Sequence, residues 1–400
     1  MSQRENYAYE SLEKYSEINS EIIKKEQRKH ESLQNRTKYS VRVEYYYPSW
    51  HYYLIIPRNY LNNVDYLRRT KNDIFAKGKI LRFTADNRYQ KPSYFDAVMD
   101  FSEEDQYKKG VVYAYLVPIR NRYRYSKNKE LVGNYTVQER SGDLTYDRMN
   151  EALDQFSIGG CCSKNITKYI LGDYIKYSKY LDNIFNYNRY YQKNISGFYR
   201  LNYPLQRKIE KIFYNEMNTI YLKSEENIRL ICMIIYAIYQ MRQDTQDKIL
   251  VCSSSNNSAD TIALELLRMK NCVKRLNVLR IYAKNQEIIK RHEQLKDISY
   301  HNLVLKEKNN YFGNRDKVIE KSSIVVSTCV NSYSDRLINY DFPFVIIVDA
   351  DDSSENENLI PITLNAKHVI LIAYENSSSS TNINMYKRMK NLYPNNHIIL

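Results

Sequence analysis

The stretch Thr219-Ile-Tyr-Leu-Lys-Ser-Glu-Glu-Asn-Ile-Arg-Leu-Ile-Cys-Met-Ile-Ile-Tyr-Ala-Ile-Tyr-Gln-Met-Arg-Gln-Asp-Thr-Gln-Asp-Lys-Ile-Leu-Val-Cys-Ser-Ser-Ser-Asn-Asn-Ser-Ala-Asp260 decides the fold. It reads as strand (Thr219–Leu222), loop, helix (Ile228–Met241), strand (Lys248–Cys252), loop and a second helix from Asn257. Ile231, Ile234, Ile235, Ile238 and Tyr239 keep a 3.6-residue period, and Ile249-Leu250-Val251 is a short β-branched run. Two short apolar strands joined by a helix form a βαβ unit, because parallel strands need a crossover. In phosphate-binding units of this kind the first loop is Gly-rich and ends in Gly-Lys-Ser/Thr, so that backbone N–H groups reach the anion. Here it is Leu222-Lys-Ser-Glu-Glu-Asn-Ile-Arg229, with no glycine, no terminal Lys-Ser/Thr and two carboxylates that repel an anion. The frame of a phosphate-binding fold is present and its working loop is not.

Outward from this unit, further strands are expected at Val278–Tyr282, Ile324–Thr328, Phe344–Asp349, His368–Ala373 and His397–Leu400. Residues 201–400 thus form an α/β domain with an open parallel sheet and helices on both faces. Lys284–Lys321 is too long for a plain crossover and reads as an inserted helical subdomain. Toward the N-terminus, Leu12, Tyr15, Ile18, Ile22 and Ile23 form one stripe of a long stalk helix within residues 1–40. From Tyr39 the period changes to two, and six short strands across residues 41–140 predict a small β-barrel or sandwich. Helices return at Tyr146–Phe156 and Lys164–Leu171, within a connector over residues 141–200. Ser377–Ser380 is a low-complexity loop.

Composition narrows the partner class. The chain has 400 residues, 43% of them hydrophobic, enough for two or three domains with a sizeable core. A formal net charge of +14 favours nucleic acid, although the 41 tyrosines, with many Lys, Asn and Ile, fit an A/T-rich coding sequence equally well. The Arg120–Lys129 loop, with Arg120, Arg122 and Arg124, is either a finger for an RNA backbone or a solvated hairpin tip. Six cysteines show no C-x-x-C pair and no zinc spacing, which predicts a reduced, intracellular chain. The polar start Met-Ser-Gln-Arg-Glu-Asn is no signal peptide, and Leu230–Tyr239 is too short to cross a bilayer. A soluble, cytoplasmic protein with no membrane partner is expected.

Lys248–Asp260 resembles the strand and loop that touch RNA in superfamily-1 helicases, and the further matches fall in family order. Tyr146–Leu153 looks like the helix after that family's accessory barrel, and Leu201-Asn202 with Gln206 resembles its adenine-reading motif. Ser323–Val330 is similar to its second RNA-contacting strand, and Phe344–Asp349 to its metal-binding strand. Together these residues resemble the RNA helicases of nonsense-mediated decay, the regulators of nonsense transcripts. The resemblance implies a stalk, a barrel and a RecA-like sheet. It also implies ATP and magnesium as the family's cofactors, Asp349 as the family's metal ligand, and a nucleotide site around Asn202, Gln206, Asn227 and Arg229.

The departures from the pattern point the other way. Where the family has Asp-Glu, the chain has Asp349-Ala350-Asp351-Asp352, and Ala cannot orient or deprotonate a water. The motif that senses the γ-phosphate reads Ala373-Tyr-Glu-Asn-Ser377. At Leu400 the chain stops where the family's second RecA-like domain begins, so the trans arginine is expected to be missing, as is the Cys/His-rich N-terminal module. Asn202, Gln206, Asn227, Arg229 and Asp349 are therefore expected to be vestigial, with no catalytic residue and no cofactor. Ser255, Asn256, Ser327 and Thr328 keep hydroxyl and amide groups for an RNA backbone, and the same residue types serve as helix caps. The leading expectation is a degenerate helicase relative, linked to mRNA surveillance, that binds RNA or a ribonucleoprotein without hydrolysing ATP. One alternative is half of a split ATP-dependent helicase completed in trans by a separate second RecA-like domain; the family also suggests decay factors as partners. A scaffold without a nucleic-acid role is the third reading.

Overall fold

The computed structural model describes residues 7–33, 39–46, 51–55, 80–87, 94–100, 111–116, 132–139, 143–173, 203–223, 228–242, 244, 246–270, 276–283, 293–306, 313–374 and 384–400. Arg120, Arg122, Arg124, Asn202, Asn227, residues 174–200 of the connector and the loop from Glu375 lie outside the described residues. Two units emerge: residues 1–25, 147–282 and 292–400 form one, and residues 26–146 with 283–291 the other.

The second unit holds six strands: β1 (Tyr39–Tyr46), β2 (His51–Ile55), β3 (Ile80–Ala85), β4 (Tyr94–Asp100), β5 (Val111–Leu116) and β6 (Gly133–Glu139). They close into an antiparallel barrel in the order β1-β2-β5-β4-β3-β6. Period-two alternation is the cause: Val41, Val43, Leu81, Phe83, Phe95, Ala97, Tyr135 and Val137 are all buried, each pair two residues apart on its strand. Phe83 stacks on Phe95 with centroids 4.6 Å apart, and Tyr135 meets Phe95 edge-on at 5.1 Å.

The first unit is built on seven parallel strands. They are β7 (Met217–Leu222), β8 (Ile249–Ser253), β9 (Val278–Arg280), β10 (Ile324–Thr328), β11 (Phe344–Val348), β12 (His368–Tyr374) and β13 (His397–Ile399). Their order is β13-β7-β12-β11-β8-β10-β9, with every pairing parallel, which is the RecA-like α/β arrangement. Helices cover both faces, and the strands show it. Ile220, Val251, Val326, Ile346 and Ile372 pack into one cluster with Ile231, Ile234, Ile235 and Ile238 of α5 (Ile228–Met241). Their neighbours Leu250, Val325, Val345, Ile347 and Leu371, pointing the opposite way, are equally buried.

The remaining helices among the described residues are α1 (Leu12–Leu33), α2 (Asp143–Ile158), α3 (Lys164–Leu171), α4 (Tyr203–Glu210), α6 (Asn256–Lys270), α7 (Tyr300–Lys306), α8 (Gly313–Glu320), α9 (Cys329–Ser332), α10 (Glu355–Ile362) and α11 (Met385–Leu392). The described part of the 284–321 segment is helical, with α7, α8 and a 3-10 turn over Glu293–Ile298. In α1 the buried line is Tyr15, Asn19 and Ile23, while Ile22, expected inside, is 40% exposed. Spacing by four puts Asn19 on the inner face, where its Nδ2 donates to Tyr15 O at 3.0 Å. Gly172 ends α3 at φ 93, a left-handed position where an added Cβ would meet Ala8 at 2.7 Å.

His368, at the start of β12, is completely buried and its Nε2 donates to Ile212 O at 2.9 Å. Burial pushes its pKa down to about 4, against an ordinary 6.5. A depressed histidine stabilises the fold above the ordinary value, and that contribution is lost as pH falls from about 6.5 toward 4. About 2 kcal/mol of stability from this one group is expected to be gone by pH 5. Urea unfolding at pH 7 and pH 5 checks it: His368→Gln, which keeps a donor, is expected to flatten that part of the pH dependence.

Candidate functional site

Because all seven strands are parallel, the loops after β8, β10 and β11 gather at one edge of the sheet, the place where such folds bind ligands. The turn after β8 is built from three serines. Ser253 is fully buried, and its hydroxyl lies 3.2 Å from Asp349 Oδ2 and 3.1 Å from Ser255 O while accepting the Ser255 N–H at 3.2 Å. Ser254 and Ser255 are exposed, and Ser255 Oγ accepts the Ser258 N–H at 3.2 Å, which makes it the N-cap of α6. Asn256 is half-buried and its Oδ1 accepts from Arg280 Nη2 at 3.0 Å.

Arg280 is the central group of this edge, and it was not legible as a site residue in the sequence. It is 0% exposed at the end of β9. Its Nε donates to Asp260 Oδ1 at 2.7 Å, its Nη1 to Ile281 O at 2.8 Å, and its guanidinium lies 4.0 Å from the Tyr282 ring centroid. One buried cation thereby ties the first turns of α6 to the end of β9. The only hint in the sequence is an Arg closing the apolar run Val278-Leu279, with an acidic residue twenty positions earlier.

The second loop is organised differently. Ser327 is fully buried: it accepts from Asn331 Nδ2 at 3.0 Å and donates to Ile281 O at 3.3 Å. Its hydroxyl therefore serves the interior and not the edge. Thr328 is half-buried in extended conformation at the start of α9, and its side chain makes no cap hydrogen bond. Two further arginines hold this loop from behind. Arg148 of α2 donates to Val330 O at 3.0 Å, with burial drawing its pKa down to about 10. Arg336 donates to Tyr282 O at 3.1 Å and lies 4.7 Å from the Tyr300 ring centroid.

Asp349 follows β11 at φ 56, a left-handed conformation that an Asp tolerates better than most residues. It is buried, and Ala350 behind it is fully buried, with its N–H bonded to Ile372 O at 2.9 Å and its O accepting from Asn358 Nδ2 at 2.7 Å. Magnesium takes an octahedron of oxygens. Here Asp349 accepts from Ser253, Ala350 takes the next position, and the hydrogen-bonded Cys252 and Cys329 thiols lie close by. The hydrogen bond to Cys252, with burial, pushes the Cys329 thiol well up. Among the described residues no group of three His, Cys, Asp or Glu is placed to hold a metal. A single protein carboxylate would leave the other positions of a magnesium octahedron to water or phosphate oxygens. Gln206 is half-buried on α4, and Arg229 is exposed in the first turn of α5.

Residues 221–314 and 304–372 match the AAA domain family. The ATP-dependent helicase NAM7 of Saccharomyces cerevisiae is 26% identical over 57% of this chain and 25% of its own length. The ATP-dependent helicase upf1 of Schizosaccharomyces pombe is 27% identical over 35% of this chain and 18% of its own. The regulator of nonsense transcripts 1 homolog of Drosophila melanogaster is 23% identical over 60% of this chain and 22% of its own. The chain spans a quarter or less of these relatives. Sequence order and sheet topology agree: over much of its RecA-like sheet this chain matches the AAA domain family and is similar to ATP-dependent helicases and to regulators of nonsense transcripts.

Proposed function

We propose that this chain is a helicase-like module that grips RNA, or a ribonucleoprotein, at the C-terminal edge of its sheet and does not hydrolyse ATP. The observation that carries the second half is Ala350. It stands where a glutamate would activate the attacking water, it is fully buried, and its backbone is bonded to Ile372 and Asn358. The glycine-free loop after β7 and the engagement of Asp349 by Ser253 point the same way. The first half is supported by exposed Ser254 and Ser255, by Thr328 at the neighbouring loop and by the net charge of +14. In this reading Asp349 is a brace for the Ser253–Asn256 turn and not a metal ligand. The cytoplasm, a link to mRNA surveillance and decay-factor partners belong to the same proposal, on the strength of the helicase relatives.

The test is phosphate release from Mg-ATP by the purified chain, with and without poly(U), beside a filter-binding titration of the RNA over a salt series. No turnover is expected, and log affinity is expected to fall against log salt with a slope of about −2 to −3.5, roughly −0.7 for each of three to five backbone contacts. RNA-stimulated release above an Asp349→Ala control would overturn the silent reading and favour a helicase half completed in trans. Affinity indifferent to salt would remove the RNA grip.

A further inference from the structure

Cys161 and Cys162 are adjacent in the chain, and their side chains hydrogen-bond one another. Cys162 is 7% exposed with its Sγ 3.4 Å from Thr167 Oγ1, while Cys161 is half-exposed. The pair lies between two exposed glycines, Gly159 and Gly160, at φ 85 and 81, and the N-cap of α3 at Ser163. Neither glycine has any neighbour within 4 Å of the place a Cβ would take, so the chain before the pair has room to turn. On the other side the pair is held to the loop before β12. Cys161 O accepts the Asn365 N–H at 2.8 Å, and Ser163 N donates to Ala366 O at 2.9 Å. The thiol chemistry is uneven. The hydrogen bond from Cys161, helped by Thr167, draws the Cys162 thiol below its ordinary range, and the same bond with burial pushes Cys161 up.

We propose that Cys161-Cys162 is a site of reversible oxidative modification, closing to a vicinal disulfide with a small disulfide such as oxidised glutathione as the oxidant. The reachable Cys161 sulfur passes its proton to Cys162 along the hydrogen bond between them and attacks one sulfur of the glutathione disulfide. An S–S bond forms to Cys161 and one reduced glutathione leaves. Cys162 then attacks the Cys161 sulfur, the internal S–S bond forms and the second glutathione leaves. Two electrons pass to the glutathione disulfide, and the two thiol protons end on the two glutathiones released. Adjacent Cα atoms lie about 3.8 Å apart, below the roughly 4.4–6.8 Å of ordinary disulfides, so the ring is strained and readily reduced. Reversibility is the consequence. The other described cysteines do not compete, since Cys232, Cys252 and Cys329 are buried and burial pushes the Cys232 thiol up. This inference is independent of the RNA reading.

The experiment treats the folded full-length chain with oxidised glutathione and follows intact mass and peptide maps. Expected is the loss of two hydrogens located to the peptide holding Cys161 and Cys162, restored by a phosphine reductant. Cys162→Ser is expected to trap the glutathione adduct on Cys161 instead, because the resolving thiol is gone. Three results on the unsubstituted chain overturn the proposal: a lasting glutathione adduct on Cys161, hydrogen loss mapped to other cysteines, or no reaction at the pair.

Discussion

Arg280→Ala is expected to lower the unfolding free energy of the chain by about 3–5 kcal/mol, the usual consequence of removing one partner of a buried ion pair. Arg280 is 0% exposed and Asp260 opposite it is 20% exposed by side chain, so the carboxylate left behind is poorly hydrated. The change also empties the space the guanidinium fills against Tyr282 and removes one donor from Ile281 O, which keeps those of Ser327 and Asn331. Domains hold roughly 5–15 kcal/mol in total, so guanidinium melts of the pure variant are expected to show a large fall in midpoint. Arg280→Lys keeps the charge but loses the fork that serves Asp260 and Asn256 together, and is expected to fall between the two. A loss under 1 kcal/mol for Arg280→Ala would mean the cluster relaxes into water. Under the proposed function, Arg280→Lys also weakens RNA binding, because Asn256 and the cap of α6 lose their anchor while the exposed serines remain.

Arg388→Ala is expected to cost a similar amount and to release the N-terminal segment. Arg388 of α11 is 3% exposed and meets Glu355 of α10 through Nε, 3.1 Å from each carboxylate oxygen. Its Nη1 donates to Ile170 O at 2.7 Å and to Tyr7 O at 3.2 Å, and its guanidinium lies 4.9 Å from the Tyr9 ring centroid. Burial works against its charge and Glu355 more than offsets it, leaving its pKa above the ordinary value. Removing it strands Glu355 and frees two carbonyls, about 3–5 kcal/mol together. Limited proteolysis separates this from a merely local loss: cleavage ahead of Leu12 is expected to accelerate well before the rest of the chain is cut. The double change Arg388→Met with Glu355→Leu is expected to recover most of the stability, since no unpaired charge remains. Equal damage from the single and double variants would contradict that account.

The fold itself was largely written along the chain. Ile231, Ile234, Ile235 and Ile238 at helical spacing, between short β-branched strands, leave a βαβ unit as the arrangement that buries them all, and α5 keeps the expected bounds Ile228–Met241. The alternation through Val41, Val43, Leu81 and Phe83 likewise carried the barrel, because a period of two leaves one face to bury. Strand ends shifted by a residue or two: β8 closes at Ser253 and β9 already at Arg280, where the partner strand's pairing runs out. Local pattern also marked the polar residues at the strand ends as candidates. It did not rank them.

That ranking belongs to tertiary structure. Ser255 and Ser327 are the same residue type in the same kind of loop, yet one is exposed and the other closed inside by Asn331 and Ile281. Asp349, marked by resemblance as a metal ligand, bonds to Ser253, 96 residues away. Arg280 finds Asp260 and Asn256, and Arg388 finds Tyr7 across 381 positions of sequence. Periodicity records which face a side chain occupies, because that depends on neighbours three or two residues away. Which partner waits on that face depends on how strands order themselves in the sheet, and buried polar groups take their role from that partner. By itself the sequence determined a parallel sheet, a barrel and a phosphate loop without its glycines; only the folded chain decided which hydroxyls face outward and which hold the edge together.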